Sequence, residues 1–170
     1  MKRLILVVSV MTLIVACKQG PDRWTEKSAE IDVVKALVKD YEAGSWDAWT
    51  GHYADTAKMY HNSTEPSTVS ETLEGLKGYL ETTSEYGFSD EDIYYEMIID
   101  NQGERWVNFW GTWEGNIGAL NRDLQIPVHL TLQFVDGKIV EEHGYYNMVE
   151  YVMVMNEIAA MADAENSEEE

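Results

Sequence analysis

Asp136-Gly137 constrains this chain more than any other pair of residues. A two-residue type I′ turn needs positive φ at both positions, and Asp-Gly supplies them. The flanking runs Ile126–Val135 and Lys138–Tyr146 are therefore expected to fold back on each other as antiparallel strands. Strict alternation from that turn pairs Phe134 with Ile139, Leu132 with Glu141, Leu130 with His143 and Val128 with Tyr145. One face then carries Val128, Leu130, Leu132, Phe134, Ile139, Glu141, His143 and Tyr145, and its aliphatic content makes it the core face. The other carries His129, Thr131, Gln133, Val135, Val140, Glu142, Gly144 and Tyr146. Glu141 and His143 stand out as ionisable groups on the apolar face, which points to a pocket. Residues two apart on a strand stand about 7 Å apart, so a direct bond between them needs long side-chain reach or a water.

Upstream, the hydrophobic period is helical. Ile31, Val34, Leu37, Val38 and Tyr41 predict a helix that begins after Ser28 and stops at Gly44. Ser45 can cap a second, short helix carrying Trp46, Trp49 and Tyr53 to one side. Lys58–His61 reads as a short strand. Thr68 and Glu71 form a capping box ahead of a Leu73, Leu76, Leu80 stripe that ends near Gly87. Ile93–Asp100 and Arg105–Trp113 flank the hairpin loop 101–104, and a connection over 114–125 leads into the last hairpin. Asn147 with Glu150 caps a final helix. Helices followed by a run of strands give an α+β class. The expected architecture is a curved antiparallel sheet wrapped around the N-terminal helices, a cone-shaped α+β barrel with an extra C-terminal helix.

The N-terminus predicts an address. Lys2 and Arg3 precede an apolar run from Leu4 to Ala16, and Cys17 follows. This is the pattern of a secretory signal, and the run is too short for a permanent span. Ile14-Val15-Ala16-Cys17 resembles the bacterial lipobox, in which the cysteine is lipidated and becomes the mature N-terminus. By resemblance to lipoprotein sorting in Gram-negative bacteria, Lys18 rather than Asp after that cysteine implies the outer membrane, facing the periplasm. The expected organisation is a signal over 1–16, a lipid-anchored tether over 17–28, one domain over 29–162 and an unstructured acidic tail over 163–170. Cleavage would take two of the 12 basic residues and none of the 31 acidic ones, so the remainder is more acidic than the −19 of the whole chain. That balance argues against nucleic acid and against adhesion to anionic lipid.

Residues 40–61, DYEAGSWDAWTGHYADTAKMYH, resemble the first two helices and first strand of the nuclear transport factor 2-like superfamily, closest to its SnoaL-like polyketide-cyclase group. FVDGKIVEEHGYYN resembles that group's last hairpin. The resemblance covers roughly residues 29–156. It implies the cone fold, and a superfamily that holds isomerases, hydrolases, dehydratases, cyclases and binding or assembly modules. It places His61 where steroid isomerases of this fold keep an aspartate base, and Glu141 and His143 where relatives often show a glutamate and an aromatic residue to the pocket. Asn147 stands where many relatives have an aspartate; it cannot serve as a carboxylate base, though it suits a helix cap.

The expected site is a pocket lined by Tyr53, His61, Trp110, Glu141, His143 and Tyr145, taking a small, mainly apolar molecule. An alternative is acid–base chemistry of isomerase, dehydratase or cyclase type, with His61 as base and His143 and Tyr145 as donors to an oxyanion. A further alternative is a homodimer through the outer sheet face, using Thr131, Gln133, Val135, Val140 and Tyr146. Trp106 and Trp110 share one strand face and Trp113 lies on the other. The chain has no glycine-rich phosphate loop and no serine-nucleophile motif, and His61, His129 and His143 lack metal-ligand spacing, so neither cofactor nor metal is expected.

Overall fold

A computed structural model describes residues 22–168. The signal, Cys17 and the first part of the tether, through residue 21, lie outside these residues. Among them are four helices and seven strands: β1 (Trp24–Thr25), α1 (Ala29–Glu42), α2 (Trp46–Gly51), β2 (Tyr53–His61), α3 (Val69–Leu80), β3 (Thr83–Phe88), β4 (Tyr94–Ile99), β5 (Arg105–Ile117), β6 (Arg122–Val135), β7 (Lys138–Tyr146) and α4 (Val149–Glu168). The class is α+β.

The helix boundaries follow from their caps. Ser28 accepts the Ile31 amide at 3.2 Å, and Gly44, at φ +62°, takes the left-handed turn that ends the α1 segment. The Thr68/Glu71 capping box forms in both directions at the head of α3. Val149 donates to the Asn147 side chain at 3.0 Å, the capping role expected of Asn147. Helix α4 continues to Glu168, through most of the stretch expected as an unstructured tail. None of the described helices is long and apolar enough to cross a membrane.

The sheet runs β1-β4-β5-β6-β7-β2, with β3 also paired to β5. It is curved and does not close into a barrel. It is mixed rather than wholly antiparallel, because β2 joins β7 in parallel. Two strand assignments change. The stretch 114–125 is not a loop: β5 extends to Ile117 and β6 begins at Arg122. Their ladder is continuous from Arg105↔Phe134 to Ile117↔Arg122. Residues 83–88, expected near the end of a helix, form β3 along the far half of β5. In both places pairing with a neighbouring strand overrides a polar, glycine-containing sequence.

The decisive departure lies in β7. Asp136 and Gly137 do adopt φ of +50° and +78°, and Phe134 does face Ile139. The register then slips: Gln133 faces Glu141 and Leu132 faces Glu142, leaving Val140 as the extra residue of a β-bulge. Every side chain beyond it changes face relative to strict alternation. Glu142, Gly144 and Tyr146 join Leu132, Leu130 and Val128 on the core side, while Glu141, His143 and Tyr145 turn outward. The main core lies between this inner face and α1 and α2, centred on Ile31, Val34, Met59, Val107, Phe109, Leu132 and Ile139. A second cluster of Ile117, Leu124, Tyr151 and Val154 seats α4.

Candidate functional site

The inner face of the sheet and the helices leave a cavity of about 120 Å³. Its walls are apolar and aromatic. Leu37, Val38, Tyr41 and Trp49 come from α1 and α2, Leu76 and Leu80 from α3, Trp113, Ile126, Val128 and Leu130 from the sheet, and Met148 and Tyr151 from the start of the C-terminal segment. The polar groups Tyr53, His61, Glu142 and Tyr146 also line it.

Those groups form one hydrogen-bonded chain. The Tyr53 hydroxyl donates to Glu142 Oε2 at 2.7 Å, Glu142 Oε1 meets His61 Nε2 at 2.9 Å, and His61 Nδ1 meets the Tyr146 hydroxyl at 3.0 Å. Local backbone geometry explains the assembly. His61 pairs with Gly144 across the parallel β2–β7 ladder, so Glu142 and Tyr146, two residues either side of Gly144, flank its ring on one face. A Cβ on Gly144 would approach the ring to between 3.0 and 3.2 Å, so the ring lies in the space that glycine leaves. Asn62, at φ +49°, then clamps Tyr146 by accepting from its amide at 3.1 Å and donating to its carbonyl at 2.8 Å.

Glu142 is 2 % exposed, which would be costly for an unpartnered carboxylate. Its two partners remove that cost, and no buried side-chain polar atom among the described residues lacks a hydrogen bond. Burial, reinforced by the Glu142 charge, holds the Tyr53 phenol well above its ordinary range. Burial first, then Tyr79 and Glu142, pushes Tyr146 up to about 12. Tyr41 is likewise raised by burial, against the opposing pull of the Trp113 Nε1 donor at 3.0 Å. All three therefore stand in the cavity wall as neutral hydroxyls.

The predicted site residues divide. Tyr53 and His61 line the cavity. Trp110, Glu141, His143 and Tyr145 do not; they stand on the outer face, the last three because of the Val140 bulge and Trp110 because its strand parity faces away. Glu141 and His143 do bond directly, at 2.8 Å, but outside the cavity. There they belong to a stacked row in which His143 lies 4.7 Å from Tyr60 and 6.4 Å from Tyr145, and His129 lies 6.1 Å from Tyr145 and 4.9 Å from Trp110. Tyr146, expected outside, is inside. Glu142 was missed for the same reason. Adjacent Ile139-Val140, two apolar residues in succession just after the turn, are the trace that the bulge leaves in the sequence. Among the described residues no group of three His, Cys, Asp or Glu side chains is arranged to hold a metal ion.

The model of the SnoaL-like domain matches residues 34–142. The chain belongs to this family. Solved structures with the same fold include a candidate polyketide cyclase from Xanthomonas campestris, at 16% identity and TM-score 0.60 over 76% of this chain and 98% of that one. AclR, a candidate hydroxylase from Streptomyces galilaeus, aligns at 13% identity and TM-score 0.61 over 75% and 96%. A protein of ketosteroid isomerase-like fold from Catenulispora acidiphila, solved in complex with trimethylamine, aligns at 13% identity and TM-score 0.54 over 69% and 86%. At such identities the likeness is one of fold. No protein among the curated ones matches the chain. The SnoaL-like match ends at Glu142, so the Tyr146 end of the polar chain and all of α4 lie beyond it.

Proposed function

We propose that this SnoaL-like domain binds a small, mainly apolar molecule in its inner cavity and anchors it at the Tyr53–Glu142–His61–Tyr146 chain. One observation carries the reading: a wall of aliphatic and aromatic side chains converges on a single cluster of linked polar groups. Native mass spectrometry of protein purified from its own host should show a co-purifying small molecule. Recovery of protein with an unoccupied cavity that takes up no apolar probe would sink the reading.

A second reading is supported by the Glu142–His61 contact. A histidine held by a buried carboxylate is a suitable general base, and the Tyr146 hydroxyl beside it could stabilise developing negative charge. Acid–base chemistry of isomerase, dehydratase or cyclase type would then run on His61 with Glu142 orienting it. His143 and Tyr145, facing outward, take no part. This reading requires that His61→Ala abolish turnover of a converted ligand while leaving its binding measurable.

The domain acts, in this proposal, at the bacterial cell envelope, tethered through lipid on Cys17 to the outer membrane and facing the periplasm. A homodimer across the outer sheet face would use the outward row of Trp110, His129 and Tyr145 with Thr131 and Gln133, in place of a set that included Tyr146. A monomer mass in light scattering at high concentration would exclude it.

A further inference from the structure

The polar chain ends at Tyr146, and its protons can be counted. The Tyr53 hydroxyl gives its only proton to Glu142 Oε2. With Glu142 ionised, the other carboxylate oxygen takes the Nε2 proton of His61. Two states remain. If His61 is neutral, Nδ1 is an acceptor, and Tyr146 spends its single proton there, leaving only lone pairs for the cavity. If His61 is protonated, Nδ1–H donates to the Tyr146 oxygen, and the Tyr146 proton is free for a ligand.

We infer that the Tyr146 hydroxyl is the ligand's polar contact, and that the proton on His61 sets its polarity: with His61 neutral the contact only accepts and takes a hydroxyl-bearing ring compound, and with His61 charged it can also donate and so takes a carbonyl-bearing one. This rests on the ligand-binding reading above and adds the ligand's class. The surroundings suit such a switch. Against His61 stand Glu142 and Tyr146 from β7, with Tyr53 from β2 behind Glu142, and the other titratable groups in the cavity wall are the phenols Tyr41, Tyr79 and Tyr151. Among the described residues Glu142 is thus the only carboxylate in the wall, leaving the His61 proton to decide the polarity of the site. Asn62 fixes Tyr146 by both backbone groups, so its hydroxyl is held in place while its proton changes direction. A six-membered ring is a fitting probe, since a cavity of about 120 Å³ is close in size to the roughly 150 Å³ cavity that accepts benzene elsewhere.

The test compares cyclohexanol, cyclohexanone and benzene by NMR titration of the full chain at roughly pH 8 and roughly pH 5, either side of the histidine range. The ketone should bind about tenfold more tightly at the lower pH, the worth of one gained hydrogen bond, while the alcohol, which can donate or accept, should change much less. In Tyr146→Phe the ketone response should vanish while benzene binding stays. His61→Gln should also remove the pH response and leave a fixed preference. A ketone affinity that does not rise at the lower pH, an alcohol that gains as much as the ketone, or a ketone gain that survives in Tyr146→Phe would overturn the inference and leave the binding reading standing. Failure of all three probes to bind at either pH would overturn the binding reading with it.

Discussion

Glu142→Leu should destabilise the domain by more than the double variant Glu142→Leu with Tyr53→Phe. The single change removes a carboxylate that is 2 % exposed and strips partners from two groups at once, the Tyr53 hydroxyl at 2.7 Å and His61 Nε2 at 2.9 Å. Each stranded buried donor costs on the order of 1–3 kcal/mol, and breaking a buried ionic or charge-assisted pair from one side costs about 3–5 kcal/mol. Leucine is apolar and of similar size, so the loss comes mainly from the unpaired groups rather than from a void. Removing the Tyr53 hydroxyl as well takes away one of the two stranded groups. The double variant should then recover about 1–3 kcal/mol relative to the single. Tyr53→Phe alone should cost less than Glu142→Leu, because a carboxylate with one donor left is still partly satisfied. Urea unfolding followed by tryptophan fluorescence suits the measurement, with Trp49 tilted against Tyr53 at 4.8 Å as a local reporter. A double variant no more stable than Glu142→Leu, or a Glu142→Leu protein more stable than the parent, would refute the claim that Tyr53, Glu142 and His61 form one satisfied buried network.

Other expectations follow from the same geometry. Gly144→Ala should cost about 1–3 kcal/mol by overpacking, because its Cβ meets the His61 ring at 3.0 to 3.2 Å; unchanged stability and unchanged His61 ring resonances would show that the ring does not rest there. Alkali should unfold the domain. Tyr146 rises from the ordinary 10.0 to about 12 on folding and Tyr53 well above its ordinary value, so their contribution is complete below pH 10 and is lost as pH climbs through the folded-state values. For Tyr146 that shift is on the order of 3 kcal/mol, and Tyr146→Phe should flatten the high-pH limb of a stability-versus-pH curve. Cys17→Ser should release the protein from the detergent-extracted membrane fraction; continued partition with membranes would remove the lipid anchor.

Where sequence and structure agree, the cause is local. Ser28, Gly44 and the Thr68/Glu71 box mark the helix ends because a cap bonds within a few residues of itself, and Asp136-Gly137 holds its turn for the same reason. Disagreement begins where a strand's fate depends on its neighbours. Glu114, Gly115 and Asn116 lack β character, yet they pair with Gln125, Leu124 and Asp123, and β3 pairs along their other edge. The family resemblance pointed to the fold and to His61. It placed the wrong glutamate inside, because a single inserted residue in β7 exchanges the two faces for everything after it.

The bulge also explains why the polar chain can exist at all. Were Val140 paired with Gln133 instead of bulged, Glu141, His143 and Tyr145 would occupy the inner face, and His143 rather than Gly144 would lie nearest the His61 ring. Two histidine rings and a glutamate would then crowd the cavity, with no glycine to seat either ring. With the bulge, the inner order is Glu142, Gly144, Tyr146, which places an acceptor, a space and a hydroxyl along one edge of His61. Bulges of this kind re-aim side chains beside functional sites at a local loss of ladder pairing. The outward set is used as well: Glu141 bonds His143, whose ring stacks on Tyr60 and runs parallel to Tyr145. Deleting Val140 therefore tests more than stability. With that residue gone Ile139 is followed directly by Glu141, so alternation from the turn still points Glu142, Gly144 and Tyr146 inward; the expected product keeps the Tyr53–Glu142 and Glu142–His61 bonds, and ring-current shifts of His61 and Tyr53 should change little. Loss of both bonds after the deletion would mean that the site depends on the local twist of the bulge and not on the register that β7 inherits from its turn.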